Sequence, residues 1–322
     1  MKKYFSFLFF ILFIVNLAAF GQQDPQLTHN MFYKLGVNAG YAGSQDGISG
    51  IILNRYQWSG YNGAPKTLIF SADATVQLFG SPGGVGLNII SDEIGFEKNV
   101  LANAVYAYHA PLSFGTLGIG VSLGFLTKSF NIQDPLDSRL TDDYNSGILT
   151  PISSDPGIPQ GEASQMAFDA GLGVYLKGLN YYLGASVTHL NEAPLRFADQ
   201  ARSYLVRNYY FMGGYNIQLP DPLFELRPAF LLKSDAASWQ LDLNTNVVYD
   251  NRFWGGLSYR IEDALSLLLG LELVNGLQVG YSFDLTTSAL GRYGYGSHEI
   301  FVSYLVNLEK NRSRKYKSVR FL

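Results

Sequence analysis

The sequence of 322 residues contains no cysteine, only 15% charged residues and just four histidines. Without cysteine, a disulfide scaffold, a thiolate metal site and a cysteine nucleophile are all excluded. Soluble domains carry about 25% charged residues, so this chain is short of the charge that a fully water-exposed surface uses. Lys and Arg total 23 against 26 Asp and Glu, for a net charge of −3. That leaves no basic surplus to neutralise a phosphate backbone, and no nucleic-acid partner is expected. His29, His109, His189 and His298 are scattered, with no Gly-x-Ser-x-Gly elbow and no His-x-x-x-His pair. Each histidine therefore reads as an interfacial or turn residue, and no enzyme chemistry is expected. Asp134, Asp137, Asp142 and Asp143 share a loop whose spacing matches no EF-hand, so it reads as a solvated loop. No cofactor and no metal are expected.

One apolar run stands at the start. Lys2 and Lys3 precede an apolar stretch from Tyr4 to Val15, and Ala19 and Gly21 fit a small-x-small cleavage pattern before Gln22. Residues 1–21 are thus expected to be a secretory signal peptide. Beyond them no apolar stretch reaches the roughly 20 residues of a membrane helix.

What the chain has in abundance is glycine (34), tyrosine (22) and phenylalanine (22), arranged with a period of two. Leu117, Ile119, Val121, Leu123 and Phe125 alternate with Gly118, Gly120, Ser122 and Gly124. Leu277, Val279, Tyr281, Phe283 and Leu285 alternate likewise with Gln278, Gly280, Ser282 and Asp284. Such strands have one greasy and one small or polar face. Aromatic residues cluster at strand ends, as in Tyr106 and Tyr108, Tyr181 and Tyr182, Tyr209 to Phe211, and Tyr249, Phe253 and Trp254. An amphipathic ring there suits the boundary between acyl chain and headgroup, which favours a membrane barrel over a soluble sandwich.

About 14 strands are expected, so the fold class is an all-β transmembrane antiparallel barrel over residues 47–306. The count includes segments at Gly84 to Ser91, Ala167 to Leu176 and Tyr204 to Leu219. Residues 22–46 are expected as an N-terminal periplasmic segment, and 307–322 as a basic periplasmic tail. An even count puts both termini on one side and the long connections on the other, among them Asn131 to Met166. By alternation Arg55, Arg260, Asp169, Asp242, Asp284 and Glu299 face inward, and they are expected to form an ion-paired layer narrowing the mouth. Closure brings the first and last strands together, making Arg55 and Glu299 the expected pair. The tail carries Lys310, Arg312, Arg314, Lys315, Lys317 and Arg320 against Glu309 alone. Its net charge of +5 fits docking on an acidic periplasmic component, or attraction to anionic headgroups.

The opening and closing motifs resemble a known family. Gln23-Asp24-Pro25-Gln26, Met31-Phe32-Tyr33, Asn38-Ala39-Gly40-Tyr41-Ala42-Gly43-Ser44 and Arg55-Tyr56-Gln57-Trp58 look like the start of PorP/SprF outer-membrane proteins of type IX secretion. Tyr249-Asp250-Asn251-Arg252-Phe253-Trp254 and Gly280-Tyr281-Ser282-Phe283-Asp284 continue the likeness. Ala39 departs from it, since the family more often has proline after the asparagine. The resemblance implies an outer-membrane location and a role in secretion or gliding. It also implies partners among type IX components and a secreted adhesin, beside outer-membrane lipid. The rival expectation is a channel for small solutes. Catalytic, cofactor and metal sites are expected to be absent.

Overall fold

A computed structural model describes residues 24–78, 80–131, 162–197, 202–273, 276–288 and 294–307. The strands are β1 (Gly47–Tyr56), β2 (Lys66–Leu78), β3 (Ser81–Ile94), β4 (Glu97–Leu112), β5 (Gly115–Asn131), β6 (Glu162–Lys177) and β7 (Tyr181–Thr188). After a small hairpin of β8 (Pro194–Arg196) and β9 (Arg202–Tyr204) come β10 (Asn208–Tyr215) and the short β11 (Ile217–Gln218). The wall resumes with β12 (Phe224–Ser234), β13 (Trp239–Tyr249), β14 (Phe253–Arg260), β15 (Ala264–Glu272), β16 (Leu277–Thr286) and β17 (Ser297–Asn307). β1 pairs with β17 and β10 pairs with β12, so the sheet closes into a 14-strand antiparallel barrel. β1 begins and β17 ends at one rim, here called the terminal rim; the long connections lie at the other, the loop rim.

Period-two sequence becomes an outside and an inside. Ile119, Leu123 and Phe125 on β5 are about half exposed on the outer wall, while Gly118 and Gly120 are buried. On β15, Leu265, Leu267 and Leu269 point out. Closure leaves the barrel without a free edge strand, because β1 pairs with β17 and β10 with β12. Asp250 and Asn251, both with positive φ (52° and 50°), lead the three-residue turn between β13 and β14. Asp and Asn tolerate that left-handed conformation better than other residues with a Cβ.

The wall is uneven in height. β4, β5 and β6 have 16, 17 and 16 residues, whereas β7, β10 and β14 have 8. About 9–11 residues cross a bilayer, so the β4–β6 side projects. β6 meets β7 only from Leu172 to Lys177, which puts the surplus at the loop rim. There the β8–β9 hairpin folds against it. Leu195 and Leu205 pack on Leu101, Leu126 and Ala167, and Phe197 meets Phe130 edge-on at 4.8 Å.

Three sequence expectations on boundaries change. The strands expected at Gly84 to Ser91 and Ala167 to Leu176 are longer, since their ends continue pairing above the bilayer height. The strand expected at Tyr204 to Leu219 starts at Asn208, because Tyr204 belongs to the hairpin. Asn131 to Met166 falls mostly on residues 132–161, which lie outside the described residues, as do the four loop aspartates.

Candidate functional site: an occupied lumen

Residues 24–46, expected as a segment outside the barrel, run inside it from the loop-rim half to the terminal rim. Asp24 lies near the loop-rim ends of β7, β10 and β12, beside His189, Tyr210 and Lys233. Gly43 lies near the terminal ends of β2 and β3, where its N–H donates to Asp73 Oδ2 at 2.8 Å and its carbonyl accepts from Thr75 Oγ1 at 2.8 Å. The polypeptide then turns back at Asp46 (φ 54°) into β1.

The upper part of this segment is held by charges. Arg55 and Glu299 face each other directly across the β1–β17 ladder and pair at 3.1 Å. Arg55 also reaches Asp284 at 2.8 Å. Arg260 and Asp242 are cross-strand partners too, at 3.0 Å, and Arg260 touches Asp263 at 3.3 Å and Asp284 at 3.9 Å. Arg55, Asp284, Glu299 and Arg260 are at most 2% exposed, and Asp242 6%. Five of the six inward residues read from the sequence thus converge. Asp169 does not join them; it sits 2.7 Å from His189 Nδ1 on β6. The six tail cations lie outside the described residues.

Alternation alone does not reveal what the cluster grips. Glu299 accepts the backbone N–H of Thr28 at 3.0 Å and of His29 at 2.7 Å, and lies 2.7 Å from His29 Nδ1. Thr28 Oγ1 donates toward Asp284 at 2.8 Å and accepts from Arg55 Nη1 at 3.0 Å. Arg260 Nη2 donates to the Leu27 carbonyl at 3.3 Å, and Asn30 Nδ2 donates to Asp242 at 3.2 Å. A buried charge is costly unless paired and hydrogen-bonded, and here the segment supplies part of that pairing.

His189 is the second anchor. Its Nδ1 meets Asp169 at 2.7 Å and its Nε2 meets Asp24 at 2.8 Å. Burial alone would pull the imidazole down, but the two carboxylates outweigh it and push it up to about 10. Tyr210 donates to Asp24, and Lys233 Nζ donates to the Asp24 carbonyl at 2.5 Å.

Lower down, apolar contact and small residues take over. Leu27 and Tyr33 pack on Ile51, Leu53, Ile69, Leu268 and Phe301 of the wall, and Leu35, Ala39 and Ala42 on Val105, Ala107 and Met212. Asn38 caps a single 3-10 turn at Ala39–Tyr41 by accepting from Gly40 N at 2.9 Å, and its Nδ2 donates to the Val174 carbonyl at 2.9 Å. A Cβ on Gly118 would stand 2.1 Å from the Gly40 oxygen, and one on Gly120 2.3 Å from Ala39. Those glycines on the inner face let two backbones approach. His109 Nε2 lies 2.9 Å from the Ala42 oxygen.

Three of the four histidines, expected as interfacial or turn residues, are buried in the lumen, His29 and His189 of them in turns, while His298, against Tyr281 at 2.7 Å, sits on the outside. The aromatic girdle divides in the same way. Tyr108, Tyr209, Phe211, Tyr249 and Phe253 are exposed on the outer wall, while Tyr210 and Trp254 are buried inward. Among the described residues no group of three metal-ligating side chains is found.

A closed 14-strand barrel with a lipid-facing apolar wall is an outer-membrane β-barrel protein, and this one carries its own N-terminal segment inside. The chain belongs to the family described as type IX secretion system membrane protein PorP/SprF, whose sequence profile matches residues 19–304. No curated protein matches the sequence significantly. Among solved structures, the outer membrane protein Omp33 of Acinetobacter baumannii is similar at 7% identity, covering 81% of this chain and 98% of its own, with a TM-score of 0.47. The toluene transporter TbuX of Ralstonia pickettii is similar at 10% identity, covering 86% and 92%, with a TM-score of 0.46.

Proposed function

We propose that this chain is a non-enzymatic docking barrel of type IX secretion, supporting secretion or surface anchoring of a partner such as a large adhesin. The observation that carries the reading is the filled lumen. Beside the inner segment one cavity of about 70 Å³ is edged by Tyr33, Leu35, Ile69, Ile90, Leu101 and Val105, and a second of about 340 Å³ lies toward the terminal rim. A porin for small solutes needs a continuous wetted path, and apolar wall residues such as Leu53 and Phe301 are costly to leave in water. The layer of Arg55, Arg260, Asp242, Asp284 and Glu299, with Asp169 at its side, serves to close the mouth. In this reading the loop rim is external and the terminal rim periplasmic. The tail cations Lys310, Arg312, Arg314, Lys315, Lys317 and Arg320 dock on an acidic periplasmic component.

Affinity purification from the native membrane tests the reading together with truncation of residues 311–322. The expected result is a co-purifying secretion component, and a truncated barrel that stays heat-modifiable while partner secretion or surface display falls. Undiminished display after truncation removes the tail from the docking surface. Absence of any secretion component among the co-purifying proteins contradicts the docking reading.

A further inference from the structure

The outer wall carries charge in one place. Among the outward positions of β1–β5 and β12–β17, the formally charged residues are Lys66, Glu93 and Lys98. Lys66 faces Glu93 across the β2–β3 ladder, and Glu93 faces Lys98 across β3–β4, so the three exposed side chains stand in one row. The row continues through Tyr56 and His298 on one side and Ser129 and Ser164 on the other. Among the described residues neither lysine is ion-paired. From Leu68 to Leu78 the outward positions of β2 are all apolar, a length of about 11 residues, which is what crosses a bilayer. On β4 the outward positions from Val100 to Leu112 are likewise apolar or aromatic. The row therefore begins where the acyl region ends, at the loop rim.

A held aromatic ring belongs to the same rim. The N–H of Tyr295 donates to the Ser59 carbonyl at 2.7 Å and the N–H of Ser59 donates to the Gly296 carbonyl at 2.8 Å, which ties the β16–β17 connection to the one joining Tyr56 to Lys66. A Cβ on Gly60 (φ 102°) would stand 2.7 Å from Tyr295 Cδ2, so the ring rests on the glycine. Tyr295 is nevertheless 78% exposed, leaving an aromatic face open to stack on a sugar ring. Two ammoniums against one carboxylate leave a net positive charge, and strand spacing puts the lysine Cα atoms about 10 Å apart. That span suits a broad anionic headgroup. Exposed Ile52, Leu68 and Phe70 lie on the membrane side of the row, where acyl chains run. A simple phospholipid leaves Tyr295 without a sugar, and a polypeptide brings no acyl chains.

We propose that this face of the barrel seats a phosphorylated glycolipid of the outer leaflet, of the lipid A class. Its phosphates sit on Lys66 and Lys98, its sugar stacks on Tyr295, and its acyl chains follow Ile52, Leu68 and Phe70. The site takes from the docking reading only that the loop rim is external.

The test titrates the full chain in detergent with bisphosphorylated lipid A, with the same glycolipid stripped of phosphate, and with phosphatidylglycerol, reading bound lipid by native mass spectrometry. One saturating lipid A adduct is expected, with each of the other two lipids at least about tenfold weaker. Lys66→Gln and Lys98→Gln should each weaken lipid A about fivefold, and the double variant about 25-fold. Tyr295→Ala should weaken lipid A and leave phosphatidylglycerol as it was, while Lys177→Gln at the opposite rim should change nothing. Heat-modifiability checks that every variant keeps the fold. Equal binding of phosphatidylglycerol or no saturating adduct overturns the glycolipid assignment. Equal binding of the phosphate-free lipid, or undiminished binding by the double variant, overturns the phosphate seat. Undiminished binding by Tyr295→Ala overturns the sugar seat, and an equal loss in Lys177→Gln reduces the row to general charge attraction and overturns the site. Neither secretion nor co-purification is read in this titration, so its failure removes the site and leaves the docking reading to the truncation experiment.

Discussion

The two halves of the lumen are built on opposite terms. Toward the loop rim Arg55, Glu299, Asp284, Arg260 and Asp242 are almost wholly buried and paired, and the inner segment completes their hydrogen bonds with Thr28, His29 and Asn30. The β8–β9 hairpin lies over the same end. Toward the terminal rim the same segment touches the wall through glycine, alanine and leucine and through hydrogen bonds at Asn38, Ala42 and Gly43 rather than ion pairs, and beside it a cavity stays open around a cation with no carboxylate on it. The upper half is a lock, because Arg55, Glu299, Asp284, Arg260 and Asp242 would each lose hydrogen bonds if the segment left. The lower half is held by backbone approach and apolar contact and keeps a cavity of about 340 Å³ beside Lys34.

Arg55→Leu attacks the lock at its centre. It leaves Glu299 and Asp284 short of a partner at 0% and 2% side-chain exposure. Breaking such a buried pair costs about 3–5 kcal/mol, read as a lower temperature for loss of the compact band on electrophoresis. An unchanged midpoint would mean that the upper half is not what holds the segment.

Gly118→Ala probes the lower half. The new Cβ would meet the Gly40 carbonyl, backbone against backbone, whereas on Gly50 the nearest atom stands 3.8 Å away. Overpacking of this kind costs about 1–3 kcal/mol and should expose residues 36–46 to protease. Gly50→Ala should leave cleavage as it was. Equal cleavage in the two variants would show that close backbone approach does not seat the segment.

The second anchor should respond to pH. Its two carboxylates raise His189 from an ordinary 6.5 to about 10, so its contribution is whole below about pH 6.5 and lost as the pH climbs through about 10. Proteolysis near Asp24 should accelerate across that alkaline limb, and the acceleration should be absent in His189→Gln. A flat profile in the original chain would remove the His189 anchor from the account.

Lys34→Met should do least to stability. It strands no charge, and the expected change lies within about 0.5 kcal/mol in the same melting experiment. A loss as large as that of Arg55→Leu would erase the distinction between the halves.

Much of the wall was legible in the sequence, because a barrel strand obeys one rule along its length. The odd-numbered residues from Leu117 to Phe125 face out, and the count of 14 strands survives although several ends move. Ends at the loop rim shift because β4–β6 go on pairing above the bilayer after the apolar alternation has given way to polar residues, as at Thr127-Lys128-Ser129 and Glu162-Ala163-Ser164-Gln165. Inward orientation of the six charged residues also follows from the period of two. Their binding to Thr28 and His29 does not, since partners more than 200 positions apart leave no local pattern.

A signal for the inner segment was nonetheless present. Ile51-Ile52-Leu53 on β1 and Leu267-Leu268-Leu269 on β15 are apolar on both faces, as strands covered on both sides are. Gly118, Gly120 and Gly173, small on the inner face, mark where another backbone comes close. Those strands read as ordinary barrel staves only while the lumen is assumed to hold water.

Single-channel recording in planar bilayers tests the filled lumen most directly. The intact chain should give no large, steady conductance, while a chain lacking residues 24–43 should give regular conductance steps. Large, steady conductance from the intact chain would contradict a lumen closed by its own N-terminal segment.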